Sequence, residues 1–598
     1  MDIFYRSGHE NCEQQVLNEL SSRVPHKLLE RFSTLERSSG EADEHTAVDY
    51  ICERLCSFGV DHQVFEPSLL ISLPIESVLE YRTEAGWKSV NCSCPSFSAS
   101  TDPQWLQAEG VLARTKARSG GSLFDKTVLE SGVAVSGKIA LVEAAFAPAL
   151  VQSLARLGAV GVGMINPGQY IHESSCSTIW GAPSLENMEQ LPKIPVISIN
   201  HPDGERFLEM LGRSKLYLRI RTKMKTGWVR CMLPVAEIKG VDEPEKFILI
   251  HGHIDSWYFG LCDNAAGNAV LLELARVLHQ ARGQLGRSIR IAWWPGHSHG
   301  RYAGSTWYAD NFAVDIEENC IAHLNIDMPG MKHATSYEQV MWMDEMTDLC
   351  HQAIYDVTGQ TASGIRPPRA GDYSFNNIGL SGAFMLLSAI PVNVQKDKGL
   401  SEGGHLIFWH TDLDMMEYID LDVLMTDIKI YAVTACRLAN SLLLPLDFRP
   451  TLTAQQRQLE MYQRAGQTSF DLAPALSAAS DLMDELNTFY RAAAAARTSV
   501  GSQSTSEMKN FNNLILVLAR GLIPIDYVNR ARFDHDPAVP VAPLGRLESV
   551  LTLAELGDSF LKHATLTSLL RGRNQIVSTY RGLARQFQAA QQGIDKAL

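Results

Sequence analysis

The chain has 598 residues, 45% of them hydrophobic and 20% charged, which is enough for about three or four ordinary globular domains. Its formal net charge of −14 argues against nucleic acid or an anionic membrane as a partner, because both require a basic protein surface. No signal peptide is recognisable in residues 1–19 and no apolar stretch is long enough to span a bilayer, so we expect a cytoplasmic protein.

The first 60 residues carry apolar side chains at helical spacing, which predicts two helices, the second of them ending at Gly59. Residues 76–234 have a different character, with short β-rich pieces separated by Gly, Ser and Pro. We predict a small αβ domain there, without a cluster of titratable side chains. Its clearest elements are strands at 137–142, 160–165 and 195–199 and a helix at 149–157. In the N-terminal segment described first, the earlier of the two predicted helices rests on the apolar positions Leu17, Leu20, Val24 and Leu28.

Residues 235–445 alternate buried strands with amphipathic helices, a pattern typical of a largely parallel sheet covered by helices. We therefore predict an α/β fold for this part of the chain. From residue 446 onward the chain is predicted to be helical again, with a polar loop at 498–507. The predicted strands of the sheet include 247–250, 289–293 and 321–326.

Potential metal ligands follow several of these strands, at the sheet edge where the functional groups of α/β proteins collect. His253 follows the first strand, and Asp263 precedes the next helix. Asp327 ends another strand, and His410 follows a glycine-rich stretch. Neutral imidazole and carboxylate are the ligands that zinc and similar divalent ions take, so these side chains predict a metal site. Asp255 is placed to hold His253 in one tautomer, as carboxylates behind metal ligands do.

In their order along the chain, these motifs resemble those of the co-catalytic di-zinc aminopeptidase family, most closely its glutamate carboxypeptidase and transferrin receptor branch. The resemblance implies a zinc-peptidase-like α/β fold, with a mostly parallel sheet flanked by helices, an inserted protease-associated αβ domain and a C-terminal helical domain. The implied boundaries are 1–75 and 235–445 for the metallopeptidase-like domain, 76–234 for the protease-associated (apical) domain and 446–598 for the helical dimerisation domain.

The resemblance also implies a role for each motif residue. His253 and Asp327 would bind one metal ion, Asp263 would bridge two ions, and His410 would bind the second. Asp255 would support His253. The implied cofactor is a divalent metal, zinc in the first instance, as one or two ions. The C-terminal helical domain implies a homodimer.

One segment departs from the family pattern, which has a Glu-Glu pair that supplies a general base and a ligand of the second metal. Residues 294–305 contain no acid at all and are one residue longer. One placement makes His297 the base and Ser298 the ligand, which weakens the second metal. The other makes Ser298 the base and His299 the ligand, which keeps two metals but leaves no competent base. We prefer the first placement, because an imidazole titrates near neutrality.

These expectations favour a metal-dependent hydrolase that cleaves an amide bond in a small peptide or an N-acyl amino acid. The alternatives are a non-catalytic, receptor-like scaffold and a metal-dependent enzyme acting on a non-peptide substrate. The retention of the predicted ligands argues against a scaffold. Asp372 is compatible with a helix cap or with a role near the site, and both interpretations stay open. Asp412 and Asp414 are interpreted as charges in the first turn of a helix.

Overall fold

A computed structural model describes residues 11–117, 127–130, 132, 134–498 and 504–595 of the chain. Within these residues no helix is long and apolar enough to cross a membrane. The helices are α1 Cys12–Glu19, α2 Arg23–Phe32, α3 Ala42–Phe58, α4 Pro148–Arg156, α5 His201–Leu211, α6 Gly267–Gln280, α7 Ala303–Asn311, α8 Ala313–Asn319, α9 Thr347–Thr358, α10 Val392–Asp397, α11 Leu421–Asn440, α12 Phe448–Gly466, α13 Ala473–Thr498, α14 Ser504–Tyr527 and α15 Phe560–Asp595. The strands are β1 His62–Phe65, β2 Ser68–Thr83, β3 Gly86–Val90, β4 Leu106–Leu112, β5 Thr115–Ala117, β6 Thr127–Leu129, β7 Ile139–Glu143, β8 Gly161–Ile165, β9 Val196–Ile199, β10 Leu216–Arg230, β11 Leu233–Ile238, β12 Glu243–His253, β13 Arg287–Trp294, β14 Cys320–Asn325, β15 Val340–Met341, β16 Gly364–Ile365, β17 Ser381–Ala383, β18 Ser401–Glu402 and β19 His405–Leu406.

A six-stranded sheet organises the part of the chain that carries the predicted ligands, with the strand order β1-β11-β13-β12-β14-β17. Strand β12 pairs in parallel with both β13 and β14, whereas β1 and β11 add an antiparallel edge. Alternate residues of β12 enter two hydrophobic clusters, Ile248 and Ile250 on one face and Phe247 and Leu249 on the other. Both faces of this strand are buried, which explains its continuous apolar sequence. The predicted strands in this region are confirmed.

A second, seven-stranded sheet lies between residues 68 and 230, in the order β3-β2-β10-β4-β7-β8-β9. Strands β2, β3, β10 and β4 pair antiparallel, and β4, β7, β8 and β9 pair in parallel. The strands and the helix predicted from the sequence here are confirmed as β7, α4, β8 and β9. We call this part of the chain the second-sheet region below.

The C-terminal part is helical, as predicted, and its core continues that of the six-stranded sheet. Helix α13 ends at Thr498 and α14 begins at Ser504, so the middle of the predicted polar loop lies outside the described residues. Asn512 joins the two parts, since its side chain accepts from the N–H of Leu444 and donates to the carbonyl of Leu442.

The prediction of one continuous first N-terminal helix is wrong, because the structure has two helices there. Helix α1 ends at Glu19, Leu20 adopts an extended conformation, and α2 begins only at Arg23. Pro25 lies in the first turn of α2, where its missing N–H is tolerated, whereas in the middle of one long helix it would break a hydrogen bond. The end of α3 at Gly59, with φ of 74°, is confirmed.

Candidate metal centre

The ends of β12 and β14 bring His253 and Asp327 to the same edge of the sheet. The two strands are parallel neighbours, so the last residue of β12, His253, and the residues that follow β14 lie at the same edge of the sheet. Gly252 permits the close approach, because a Cβ at this position would lie 2.5 Å from the carbonyl oxygen of Ile326. The first two predicted ligands are therefore placed by strand order alone.

Asp263 lies in an irregular turn, Leu261–Ala266, that leads into α6. The turn is tied to its surroundings by Asp414, whose carboxylate accepts from the N–H groups of Cys262 and Asp263 at 2.8 and 2.9 Å. Asn264 ties it to the end of β14 through a 2.8 Å hydrogen bond to a carbonyl. The interpretation of Asp414 as a first-turn helix charge is wrong, since it is a buried acceptor that fixes the turn.

Three nitrogen–oxygen approaches connect the four predicted ligands. Nε2 of His253 lies 3.0 Å from Oδ1 of Asp263 and 3.7 Å from Oδ1 of Asp327. Nε2 of His410 lies 3.1 Å from the other oxygen of Asp263. The structure thus brings all four side chains together, with the Asp263 carboxylate between two imidazoles.

The imidazoles of this site are oriented through their Nδ1 atoms. A carbonyl or carboxylate oxygen only accepts hydrogen bonds, so an Nδ1 bonded to it carries the proton and Nε2 is left as the free nitrogen. This is the arrangement by which histidine ligands are held in metal sites. The acceptors are the carbonyl of Asp255 for His253 at 2.9 Å, the carbonyl of Glu173 for His410 at 2.8 Å, and Oδ2 of Asp372 for His297 at 2.9 Å.

The buried atoms of the site fit a divalent ion. Within the described part of the chain, neither Nε2 of His253 nor Oδ1 of Asp327 has a hydrogen-bond partner, although both atoms are buried. Their short approaches therefore lack hydrogen-bond geometry. Two carboxylates and an imidazole that converge in this way match the ligands of zinc and related ions.

Burial and neighbouring charges shift the pKa values of Asp263 and Asp327 in opposite directions. Burial raises the pKa of Asp263, but contacts with His253 and His410 outweigh it and hold that pKa well below its usual range. Burial and the neighbouring charge of Asp263 raise the pKa of Asp327. A bound cation would relieve the repulsion between the two carboxylates.

The segment that departs from the family pattern places His297 against the predicted ligands. Its ring stacks on that of His253, with centroids 3.8 Å apart and planes within 11°. Ligand atoms of His253, His297 and Asp327 all lie within 4.8 Å of one another. Among the described residues, this is the one group of three His, Cys, Asp or Glu side chains whose ligand atoms lie so close together. His297 is one of its members.

His299 lies in a different environment. Its Nδ1 is 3.1 Å from the hydroxyl of Ser39, and its ring packs against Trp257 with centroids 4.2 Å apart. Burial lowers its pKa to about 4, so the imidazole is neutral. It is not in the close set described above, and its predicted role as a ligand stays a prediction.

Asp255 supports more than His253. Its carbonyl, rather than its carboxylate, accepts the Nδ1 hydrogen bond of His253, and the carboxylate oxygen lies farther off at 3.5 Å. The carboxylate accepts from the N–H groups of His297 and Ser298, at 3.2 and 2.8 Å, and from the hydroxyl of Ser39 at 2.5 Å. Asp255 therefore fixes the backbone of the unusual segment beneath the metal centre.

His410 is held by the second-sheet region. Its backbone φ is positive, at 57°. Residues other than glycine rarely adopt this conformation, and it often marks a functional position. Two reciprocal hydrogen bonds join it to Glu173: the Glu173 N–H donates to its carbonyl at 2.9 Å, and its Nδ1 donates to the Glu173 carbonyl at 2.8 Å.

Sequence reasoning missed Glu173 and left Asp372 undecided. The Glu173 carboxylate accepts from the hydroxyls of Tyr258 and Ser93, and burial raises its pKa to about 7. Its polar surroundings, residues 172–178, show no periodicity that could have indicated contact with His410. The helix-cap interpretation of Asp372 is wrong, because among the described residues 371–379 form turns and no helix.

Part of this chain is similar to known proteins. Residues 235–433 match the profile described as Peptidase family M28. This segment resembles peptidase family M28. It contains His253, Asp263 and Asp327, together with His410, and the resemblance noted from the sequence is confirmed at the level of the family.

Relatives of this chain include aminopeptidase NAALADL1 of Mus musculus, 24% identical over 372 residues, which are 55% of this chain and 48% of the relative. The probable glutamate carboxypeptidase VP8 of Zea mays is 25% identical over 246 residues, 37% of this chain and 32% of the relative. The chain thus spans about half, or less, of the length of these relatives. The solved aminopeptidase from Aneurinibacillus sp. strain AM-1 has the same fold, with a TM-score of 0.54, 21% identity and coverage of 72% of this chain and 96% of that one.

Proposed function

We propose that this chain is a metal-dependent hydrolase that cleaves an amide bond in a small peptide or an N-acyl amino acid. The observation that carries the proposal is the convergence of His253, Asp263, Asp327 and His410 at the carboxyl edge of the parallel strands. The similarity of the segment that contains them to peptidase family M28 supports it. A substrate other than a peptide is compatible with the same geometry, because the unusual segment borders the site.

The proposed cofactor is a divalent ion, with zinc as the first candidate, because the donors are imidazole nitrogens and carboxylate oxygens. His253, Asp263 and Asp327 would hold one ion, and Asp263 with His410 would offer a position for a second. Such an ion supplies Lewis-acid chemistry, which polarises an amide carbonyl and lowers the pKa of water.

His297 is the proposed general base. Its Nδ1 is bonded to Asp372, so Nε2 is the nitrogen free to take a proton from the attacking water. The same atom can return the proton to the leaving amine. The stacking of the His297 ring on that of His253, a proposed ligand, supports a role close to the proposed ion. Because His297 also belongs to the close set of potential ligands, metal content has to be measured together with turnover.

The second placement, in which His299 binds the second ion, makes a different prediction. Its neutral imidazole suits a metal, but its Nδ1 already contacts Ser39.

We include in the proposal a homodimer formed through residues 446–598. The start of α15 supports it by presenting Phe560 and Leu561, which are 95% and 61% exposed.

Turnover and bound metal of His297→Ala and His299→Ala distinguish these assignments. The zinc-loaded chain is screened against N-acyl amino acids and dipeptides, and His201→Ala, at a partly exposed histidine of α5, serves as the control. We expect His297→Ala to lower kcat by roughly 10²- to 10⁴-fold with its metal retained, and His299→Ala to keep both.

Other outcomes would overturn parts of the proposal. Loss of one metal equivalent from His299→Ala, with an active His297→Ala variant, would favour the second placement. Loss of metal from His297→Ala would make His297 a ligand. If the unsubstituted chain binds no divalent ion and a chelator leaves its thermal stability unchanged, the non-catalytic scaffold is the better interpretation.

A further inference from the structure

The contact between His297 and Asp372 joins two segments that are separated by 75 positions in the sequence. Nδ1 of His297 lies 2.9 Å from Oδ2 of Asp372. Asp372 is only 1% exposed, so water does not compete with His297 for hydrogen bonds to the carboxylate. A buried acceptor of this kind holds an imidazole in one tautomer and one orientation.

The other oxygen of Asp372 is held by a buried chain of hydroxyl groups. Ser305 donates to Oδ1 of Asp372 at 2.6 Å, and the hydroxyls of Ser305 and Ser374 lie 2.8 Å apart. Trp180, from the second-sheet region, donates its indole N–H to Ser374 at 2.8 Å. These four side chains are at most 2% exposed.

The two ends of this chain fix the direction of its hydrogen bonds. The indole of Trp180 only donates, and the Ser305 hydroxyl donates to Asp372, so Ser374 is the donor in its contact with Ser305. One carboxylate oxygen of Asp372, Oδ1, therefore already accepts a hydrogen bond from Ser305, and Oδ2 is the oxygen that contacts His297. The remaining oxygen has to accept, and Nδ1 of His297 is the group that supplies the hydrogen.

We propose that Asp372, oriented by the buried chain from Trp180, is a positioning residue that keeps the proton of His297 on Nδ1 and presents Nε2 to the metal centre. Asp372 acts through His297 and contacts neither substrate nor ion. Its effect on turnover rests on the proposed function, whereas its effect on the tautomer of His297 does not.

The test compares Asp372→Ala with Asp372→Asn in the full-length, zinc-loaded chain. Long-range ¹H–¹⁵N spectra of ¹⁵N-histidine report which ring nitrogen is protonated, and the His297 signals are identified by their loss in His297→Ala. We expect the unsubstituted chain to show an Nδ1-protonated His297. Asp372→Ala should lose this single form, and metal content should be unchanged.

The asparagine variant separates positioning from folding. Its amide oxygen can still accept from His297, while Ser305 rotates to donate to the carbonyl of Tyr302, 3.2 Å away. We expect Asp372→Asn to keep the Nδ1 proton, and Asp372→Ala to lower kcat by about 10- to 100-fold with little change in KM. Asp536→Asn, at a buried aspartate whose carboxylate accepts from the Asn529 N–H, is the matched control.

Two results would overturn the inference: an unsubstituted His297 protonated on Nε2, or an Asp372→Ala variant that keeps both the Nδ1 proton and full turnover. Absence of turnover in the unsubstituted chain would instead count against the proposed function, and the tautomer measurement would still decide the role of Asp372.

Discussion

The two halves of the metal centre are positioned in different ways. His253 is the last residue of β12 and Asp327 follows β14, its parallel neighbour, so the order of the sheet places them together. His297 and His410 lie on loops and depend on partners 75 and 237 positions away in sequence. Strand topology therefore brings His253 and Asp327 together, whereas distant segments of the chain orient the side chains of His297 and His410.

Removal of Asp263 should have the largest effect, because this carboxylate belongs to both halves. Asp263→Asn leaves a neutral amide between His253 and His410, so we expect metal affinity to fall by more than about 100-fold, with turnover lost. Metal analysis after dialysis measures it, and Asp412→Asn, at an exposed aspartate, is the control. A variant that retains full metal content would show that the two halves do not share an ion through Asp263.

Asp255 connects the halves in a second way, and its substitution should have an intermediate effect. Asn at this position offers one acceptor oxygen in place of two, so the N–H of either His297 or Ser298 loses its partner. We expect kcat to fall by about 10- to 100-fold, and metal affinity by less. Asp310→Asn removes an acid on the surface as a comparison. Unchanged kcat would mean that the unusual segment holds its shape without Asp255.

A buried acid that belongs to neither half should change stability and leave turnover intact. Burial raises the pKa of Glu345 to about 7 from its ordinary value of 4.5. Between these values the folded chain keeps a proton that the unfolded chain has lost, so its stabilising contribution is complete below pH 4.5 and is lost as the pH rises through 7.

Glu345→Gln has no such proton and should flatten the fall in stability over this pH window, by on the order of 3 kcal/mol at most. Thermal unfolding midpoints between pH 5 and pH 8 measure the difference, with Glu84→Gln, at an exposed glutamate, as the control. Parallel pH profiles for the Glu345 variant and the unsubstituted chain would contradict the prediction.

The same division explains what the sequence could and could not predict. Periodicity and strand ends indicate β12, β14 and the residues after them, because these depend on local pattern and on the parallel pairing that follows from it. Contacts of Glu173 with His410, and of Asp372 with His297, depend on how distant loops pack, which no local pattern records. The hydrogen bonds of Asp414 to the turn that contains Asp263 escape sequence-based prediction for the same reason.

Zinc-edge anomalous diffraction from crystals grown with zinc tests the metal centre most directly. We expect an anomalous peak about 2.0–2.2 Å from Nε2 of His253 and from carboxylate oxygens of Asp263 and Asp327. A peak elsewhere, or no peak between these three side chains at full zinc loading, would contradict the proposed site and the hydrolytic function that depends on it.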